Sequence, residues 1–316
     1  MPKLFIIGNG FDLAHELPTS YEEFHQFLLE DNPGAGDYPW MSGIVTGPHG
    51  EDLIDGDAAV TLMCYLIDNV LEGDNWNDLE NTLGKLDLSM CLKMALDPSE
   101  CTDREGDIDW RWVWENRSEC CEHLSLSTEY LYDQFESWIE YVEEEYQADV
   151  RTGFQKVISP QNDIFLTFNY TRTLERVYGC KNVCHIHGQV GESIVFGHGG
   201  PTHDMNTDDP YDPYNLELEF NGIYESMRKN TSDVIEKHNS FFNQLNKIQI
   251  DSIYSHGFSF STVDEPYIEK VCHTIPTKGI TWYFNDHETD KRREEFKETI
   301  RRCGFEGTFE VFSITD

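Results

Sequence analysis

Basic residues are scarce in this 316-residue chain: Lys and Arg together number 23 against 59 Asp and Glu, for a formal net charge of −36. Phosphate backbones are held by clustered cations that release counterions, so nucleic acid is not an expected partner. Anionic membrane surfaces are disfavoured on the same ground. Long apolar runs are missing too, and no segment reaches the length of a membrane helix. The opening Met1-Pro2-Lys3-Leu4-Phe5-Ile6-Ile7-Gly8 is too short for a signal-peptide core and lacks a small-residue cleavage site. The cysteines number 9, an odd count, and include no Cys-x-x-Cys pair; only Cys180 and Cys184 approach zinc-ligand spacing. They read as reduced thiols of a cytoplasmic protein.

What is present suffices for a folded core, since 39% of residues are hydrophobic and 13% aromatic. The length suggests one large domain or two packed ones. Lys3 to Ile7 is a short apolar run ended by Gly8-Asn9-Gly10, a buried strand entering a tight turn. Ser20 and Glu23 have capping-box spacing, and Tyr21, Phe24, Phe27 and Leu28 follow at helical intervals. Strand, glycine turn and helix in that order are the usual entry into a doubly wound sheet.

Residues 33–56 read as a surface loop or lid. Ala59 to Leu71, Leu79 to Leu88 and Ser127 to Val157 carry helical spacing, with Glu140, Glu143, Glu144 and Glu145 read as a solvated face of the last. Asp97 to Cys120 reads as a long acidic loop anchored by Trp110, Trp112 and Trp114, with a short strand or an aromatic lining as the alternative. Strands are expected at Asp163 to Phe168, Val183 to Ile186, Ser193 to Phe196, Asp251 to Ser255, Ile280 to Phe284 and Thr308 to Ile314. Helices are expected over Leu216 to Leu245, Val263 to Val271 and Lys291 to Arg302. The predicted architecture is α/β, a parallel doubly wound, Rossmann-like sheet formed by residues 1–57 and 158–316, with a mainly helical insertion over 58–157.

Three strands run at their carboxyl ends into small or polar residues: Gly8-Asn9-Gly10-Phe11-Asp12, Thr167-Phe168-Asn169-Tyr170-Thr171 and Ser255-His256-Gly257-Phe258-Ser259. In an open parallel sheet that edge is where ligands bind, so all three can face one pocket. Asn169 and His187-Gly188 form a second pairing, a strand-end asparagine followed after one crossover by a strand-end histidine. The amide suits ribose hydroxyls or a water, and the imidazole suits proton transfer. A core histidine bonded to backbone is the competing reading of His187.

The stretch Leu4 to Tyr21 resembles the N-terminal signature of the bacterial abortive-infection AbiH family. So do Trp76-Asn77-Asp78-Leu79-Glu80, Thr167 to Thr171, His185-Ile186-His187-Gly188, and Tyr254 to Ser259 with Asp264 and Tyr267. That family is similar to the sirtuin-like, dinucleotide-binding fold. The resemblance implies an anti-phage protein that hydrolyses the nicotinamide–ribose bond of NAD without a metal. It implies phosphates on Gly8 and Gly10 within the Gly8–Asp12 turn (Asn9 and Phe11 included), ribose or water on Asn169, and His187 as base. Thr167, Gly188 and Gly257 would flank the dinucleotide, with Ser259 and Asp264 capping its far side. Arg172 is the nearest basic residue for the pyrophosphate. Thr171 stands where sirtuin-like hydrolases carry aspartate, and Glu80 has no role derivable from its position. Gating by self-association or by a phage-derived trigger is a further implication.

Two other classes compete. His185, His187, His198 and His203 with Asp204, Asp208 and Asp209 resemble a metal-nuclease ligand set, although His185 and His187 alternate on a strand and point to opposite faces. A non-catalytic sensor would bind the dinucleotide or ADP-ribose in the same pocket and signal to a partner.

Overall fold

The computed structural model describes residues 1–70, 78–200 and 216–314. In chain order, β1 (Leu4–Ile7), α1 (Gly10–Ala14), α2 (Tyr21–Asp31), α3 (Gly56–Asp68), α4 (Leu79–Leu83), α5 (Trp110–Glu145) and α6 (Thr152–Val157) precede β2 (Ile164–Thr167). Then come α7 (Thr173–Tyr178), β3 (Val183–His185), α8 (Leu216–Ser226), α9 (Thr231–Lys237), α10 (Asn239–Leu245), β4 (Ser252–His256), α11 (Glu265–Thr274), β5 (Thr281–Asn285), α12 (Asp290–Arg302) and β6 (Thr308–Phe312).

The six strands form one sheet in the order β3-β2-β1-β4-β5-β6, every neighbouring pair parallel. This 3-2-1-4-5-6 order is that of doubly wound nucleotide-binding sheets, with the reversal between β1 and β4. β1 explains itself by period-two alternation. Leu4 and Ile6 enter one core with Ile164, Leu166, Ile253 and Trp282, while Phe5 and Ile7 enter another with Phe11, Phe154, Phe165 and Tyr178. A strand covered on both faces needs this unbroken apolar text. Buried Asp163 fixes its entry, taking Lys3 N–H at 3.0 Å and Ser159 N–H at 2.6 Å.

The chain divides into two compact units. One comprises Met1–Ser20, Trp138–Val195 and Lys229–Asp316 and holds the sheet; the other comprises Tyr21–Ser137 and Phe196–Arg228, and its described residues are mainly helical, with a hairpin of two-residue strands, Val45–Thr46 against Asp52–Leu53. Sequence reading had assigned 58–157 to the insertion. In the helical unit, Phe135 stacks on Phe196 at 4.1 Å and meets Phe24 edge-on at 5.2 Å. No helix among the described residues is long and apolar enough to cross a membrane.

Several local readings need correction, among them the single helix expected over Leu216 to Leu245, which is α8, α9 and α10, and that over Leu79 to Leu88, which ends at Leu83. The helix expected from Ser127 begins at Trp110, where Asp109 accepts the N–H groups of Arg111 and Trp112. An aspartate cap starts a helix whatever the acidity around it. The three tryptophans accordingly sit on that helix at 40%, 46% and 36% exposure rather than anchoring a loop, and the buried residue among them is Val113. That helix ends at Glu145, and α6 is a separate helix. Ser193 to Phe196 forms no strand, since the chain turns back there and only Val195 N–H reaches His187 O.

Candidate functional site

At the reversal point the turns after β1 and β4 lie directly on each other. Gly8 N–H donates to His256 O at 3.1 Å, and Gly10 N–H to Gly257 O at 2.9 Å. A Cβ on Gly8 would stand 2.6 Å from Phe258 Cα, and one on Gly257, which has φ +65°, would stand 2.2 Å from Phe11 N. The glycines therefore have a packing cause, the close crossing of two backbones. Phe11 N–H donates to Gly8 O, and Asn9 donates its side-chain amide to Thr19 O at 2.6 Å. The donors of Gly8, Gly10 and Phe11 are thus spent within the protein.

α1 carries Asp12 from this crossing beneath the end of β2. Its side chain is buried at 1% exposure, and Oδ2 accepts the Thr171 hydroxyl at 2.5 Å, with Thr173 Oγ1 3.1 Å from Thr171 Oγ1. Burial pushes the Asp12 carboxyl up to about 6, against hydrogen bonding from Thr171, Thr173 and Asn169 and with a smaller push from Glu143. Asp12 Oδ1 and Asn169 Oδ1 are buried without a hydrogen-bond partner. Asn169 is held by its main chain: its N–H donates to Thr167 Oγ1, and its carbonyl lies 2.9 Å from His185 Nδ1, whose other nitrogen faces Glu175 at 3.0 Å.

His187 belongs to a different cluster. Its ring packs against Phe168 and Tyr267 at 5.2 and 5.3 Å, and Nε2 lies 3.5 Å from Asp264 Oδ1. Lys229, wholly enclosed, places Nζ 3.7 Å from the same oxygen, and Ser261 donates to Oδ2 at 3.1 Å. Burial, reinforced by Lys229 and His238, drives the His187 pKa well below its usual value, so the ring is neutral. Burial raises Asp264 while Lys229 opposes it. No hydrogen bond or ion pair among the described residues joins His187 to Asn169. Gly188 and Gly257 sit in the turns after β3 and β4, and Ser259 is exposed.

Glu143 is not on a solvated face. It is 6% exposed and holds Arg172 Nε at 3.1 Å and Arg176 Nη1 at 2.8 Å, so Arg172 is engaged with a carboxylate. A cavity of about 320 Å³ opens beside it, bounded by Leu17 and by residues of the 142–150 and 171–177 stretches. Thr171, whose hydroxyl caps Asp12, and Thr173 line it. Sequence reading missed Glu143 and Lys229. Glu143 was visible in principle, because it lies one turn after buried Ile139 and beside buried Val142; Lys229 follows a polar stretch and gives no signal.

Glu80 is half-buried on α4 in the helical unit; burial pushes the Tyr132 hydroxyl pKa up and Glu80 adds to it, while Trp76 and Asn77 lie outside the described residues. His198 spends both ring nitrogens on backbone, Nε2 at Tyr224 O and Nδ1 on Gly200 N–H. His203, Asp204, Asp208 and Asp209 lie outside the described residues. Among the described residues, no group of three or more His, Cys, Asp or Glu is placed to hold a metal ion.

A family model described as "Bacteriophage abortive infection AbiH" matches residues 4–286. No curated protein and no solved structure matches the chain.

Proposed function

The chain belongs to the bacteriophage abortive infection AbiH family, and from that premise we propose that it acts in phage defence as a sirtuin-like hydrolase of the nicotinamide–ribose bond of NAD. One observation carries the reading: beside the strand-order reversal of a 3-2-1-4-5-6 sheet, a buried carboxyl poised near 6 stands with an asparagine whose buried side-chain oxygen has no hydrogen-bond partner. In this reading Asn169 Oδ1 accepts a hydrogen bond from a ribose hydroxyl or from the attacking water. Asp12 takes the water's proton through the Thr171 hydroxyl as oxygen bonds to ribose C1′ and the C1′–N electron pair leaves with nicotinamide. The products are nicotinamide and ADP-ribose. Neutral, enclosed His187 then orders the Phe168–Tyr267 wall rather than serving as base, and the spent donors of Gly8 and Gly10 leave the pyrophosphate to other groups.

The test is chromatography of nicotinamide and ADP-ribose after incubating the chain with NAD at low and high protein concentration, beside Asn169→Ala and Asp12→Asn. Equimolar nicotinamide and ADP-ribose from the wild type, lost in both variants, is the expected result. Intact NAD at every concentration refutes hydrolysis; if calorimetry then shows bound NAD, the sensor reading replaces it. Activity abolished by a chelator would instead point to a metal-dependent enzyme.

A further inference from the structure

The cavity bounded by Leu17 and the 142–150 and 171–177 stretches meets the reacting set at Thr171, and its other walls have no role in the proposed reaction. At about 320 Å³ it stands at the lower end of small-molecule sites, which run from about 300 to 1,000 Å³. That is room for one nucleoside rather than for a dinucleotide. Its walls are of two kinds. Leu17, Val142, Val150 and Val177 are apolar and can pack against a ring, whereas Thr171 and Thr173 are polar and their hydroxyls connect to Asp12.

The third feature is a guanidinium at the edge. Arg176 lines the cavity and is held there by Glu143, which takes Nη1 through both its main-chain and its side-chain oxygen at 2.7 and 2.8 Å. Nε and Nη2 of Arg176 have no partner among the described residues, and a planar fork with two open N–H edges matches a carbonyl oxygen. Glu143 and Asp149, which also line the cavity, suit a ring bearing positive charge.

We propose that this cavity takes the nicotinamide-riboside half of the dinucleotide, with the ribose towards Thr171 and Thr173 and the ring carboxamide read by Arg176. The assignment rests on the hydrolase reading for its choice of ligand, and on the cavity, the hydroxyl pair and the held arginine for its place. Arg176 is then the specificity-determining residue, and the glycine crossing has no part in gripping the reacting half.

Calorimetry with nicotinamide riboside and with N-ribosylpyridinium, which lacks only the carboxamide, tests it on the full chain. The wild type is expected to bind nicotinamide riboside one to one and to prefer it over N-ribosylpyridinium at least fivefold. Ala148→Trp, which fills the cavity from a partly exposed loop position, should weaken binding of both at least tenfold with an unchanged melting temperature. Arg176→Lys keeps the charge but loses the fork and should bind the two probes equally. Absence of binding by the wild type at millimolar probe, or wild-type affinity in a folded Ala148→Trp, overturns the assignment. The two readings fail separately: Ala148→Trp that still cleaves NAD at the wild-type rate sinks the cavity and spares the hydrolase. Saturable nicotinamide riboside binding without cleavage of NAD sinks the hydrolase and spares the cavity.

Discussion

Asp12→Asn is the sharpest perturbation the structure offers, because the two side chains have the same shape and differ in one titration. The native carboxyl is raised from its ordinary 3.8 to about 6, chiefly by burial, so the folded state holds its proton more tightly than the unfolded chain does. Stability from such a group is greatest at low pH and is lost as pH rises between those two values. Once both states are ionised, above pH 7, the buried carboxylate costs about 3 kcal/mol relative to strong acid, at 1.36 kcal/mol per tenfold difference in proton affinity. Roughly half of that cost is already present at pH 5, so the wild type should lose about 1.4 kcal/mol relative to Asp12→Asn between pH 5 and pH 8. Urea unfolding followed by tryptophan fluorescence at both pH values measures the difference, and the charges common to both proteins cancel. The Thr171 hydroxyl can still donate to the amide oxygen, so any offset between the two proteins is the same at each pH. A stability difference that stays flat from pH 5 to 8, or moves in favour of the wild type, would refute a buried carboxyl near 6.

The same group sets the chemistry's pH dependence: NAD cleavage should fall tenfold per pH unit below about 6, and a limb elsewhere between pH 5 and 8 would remove Asp12 as base. Gly257→Ala combines a left-handed backbone cost of about 1–2 kcal/mol with a backbone collision and should lower the melting temperature far more than Gly179→Ala. Gly179 has φ +68° but nothing within 4 Å of its added Cβ; equal losses would disprove the crossing. Glu143→Gln removes the charge that pairs two arginines, and because these are 45% and 52% exposed the loss should be about 1–3 kcal/mol by chemical denaturation, below that of a fully buried pair. An unchanged midpoint would show the cluster to be ornamental.

Much of the sheet was legible because its text is unambiguous. Ile164 to Thr167 is an apolar run between polar flanks, and a strand buried on both faces has no other way to be written. The start of α5 was not legible, since Asp109 serves as a cap only through its local geometry and the surrounding acids imitate a loop. Around the candidate site, Asn169 and Asp12 were visible as polar residues following strands, but the Thr171–Asp12 hydrogen bond spans 159 positions and leaves no local trace. The separation of His187 from Asn169 was hidden for a related reason. Which side chains meet beyond a strand's last paired residue is decided by the loops, and alternation carries no information there.

The central position of β1 also bears on how the protein is made. Its neighbours β2 and β4 begin pairing with Leu4 at Ile164 and Ile253, so roughly 250 residues separate β1 from its second partner. At about 5–20 residues per second, a ribosome needs roughly 12–50 s to traverse that interval. Throughout it Leu4–Ile7 has an open edge, and Gly257 has not arrived to seat the first turn. The reacting groups on α1 are therefore assembled late in synthesis, and a chain cut short before β4 would lack the crossing that holds Asp12 in place.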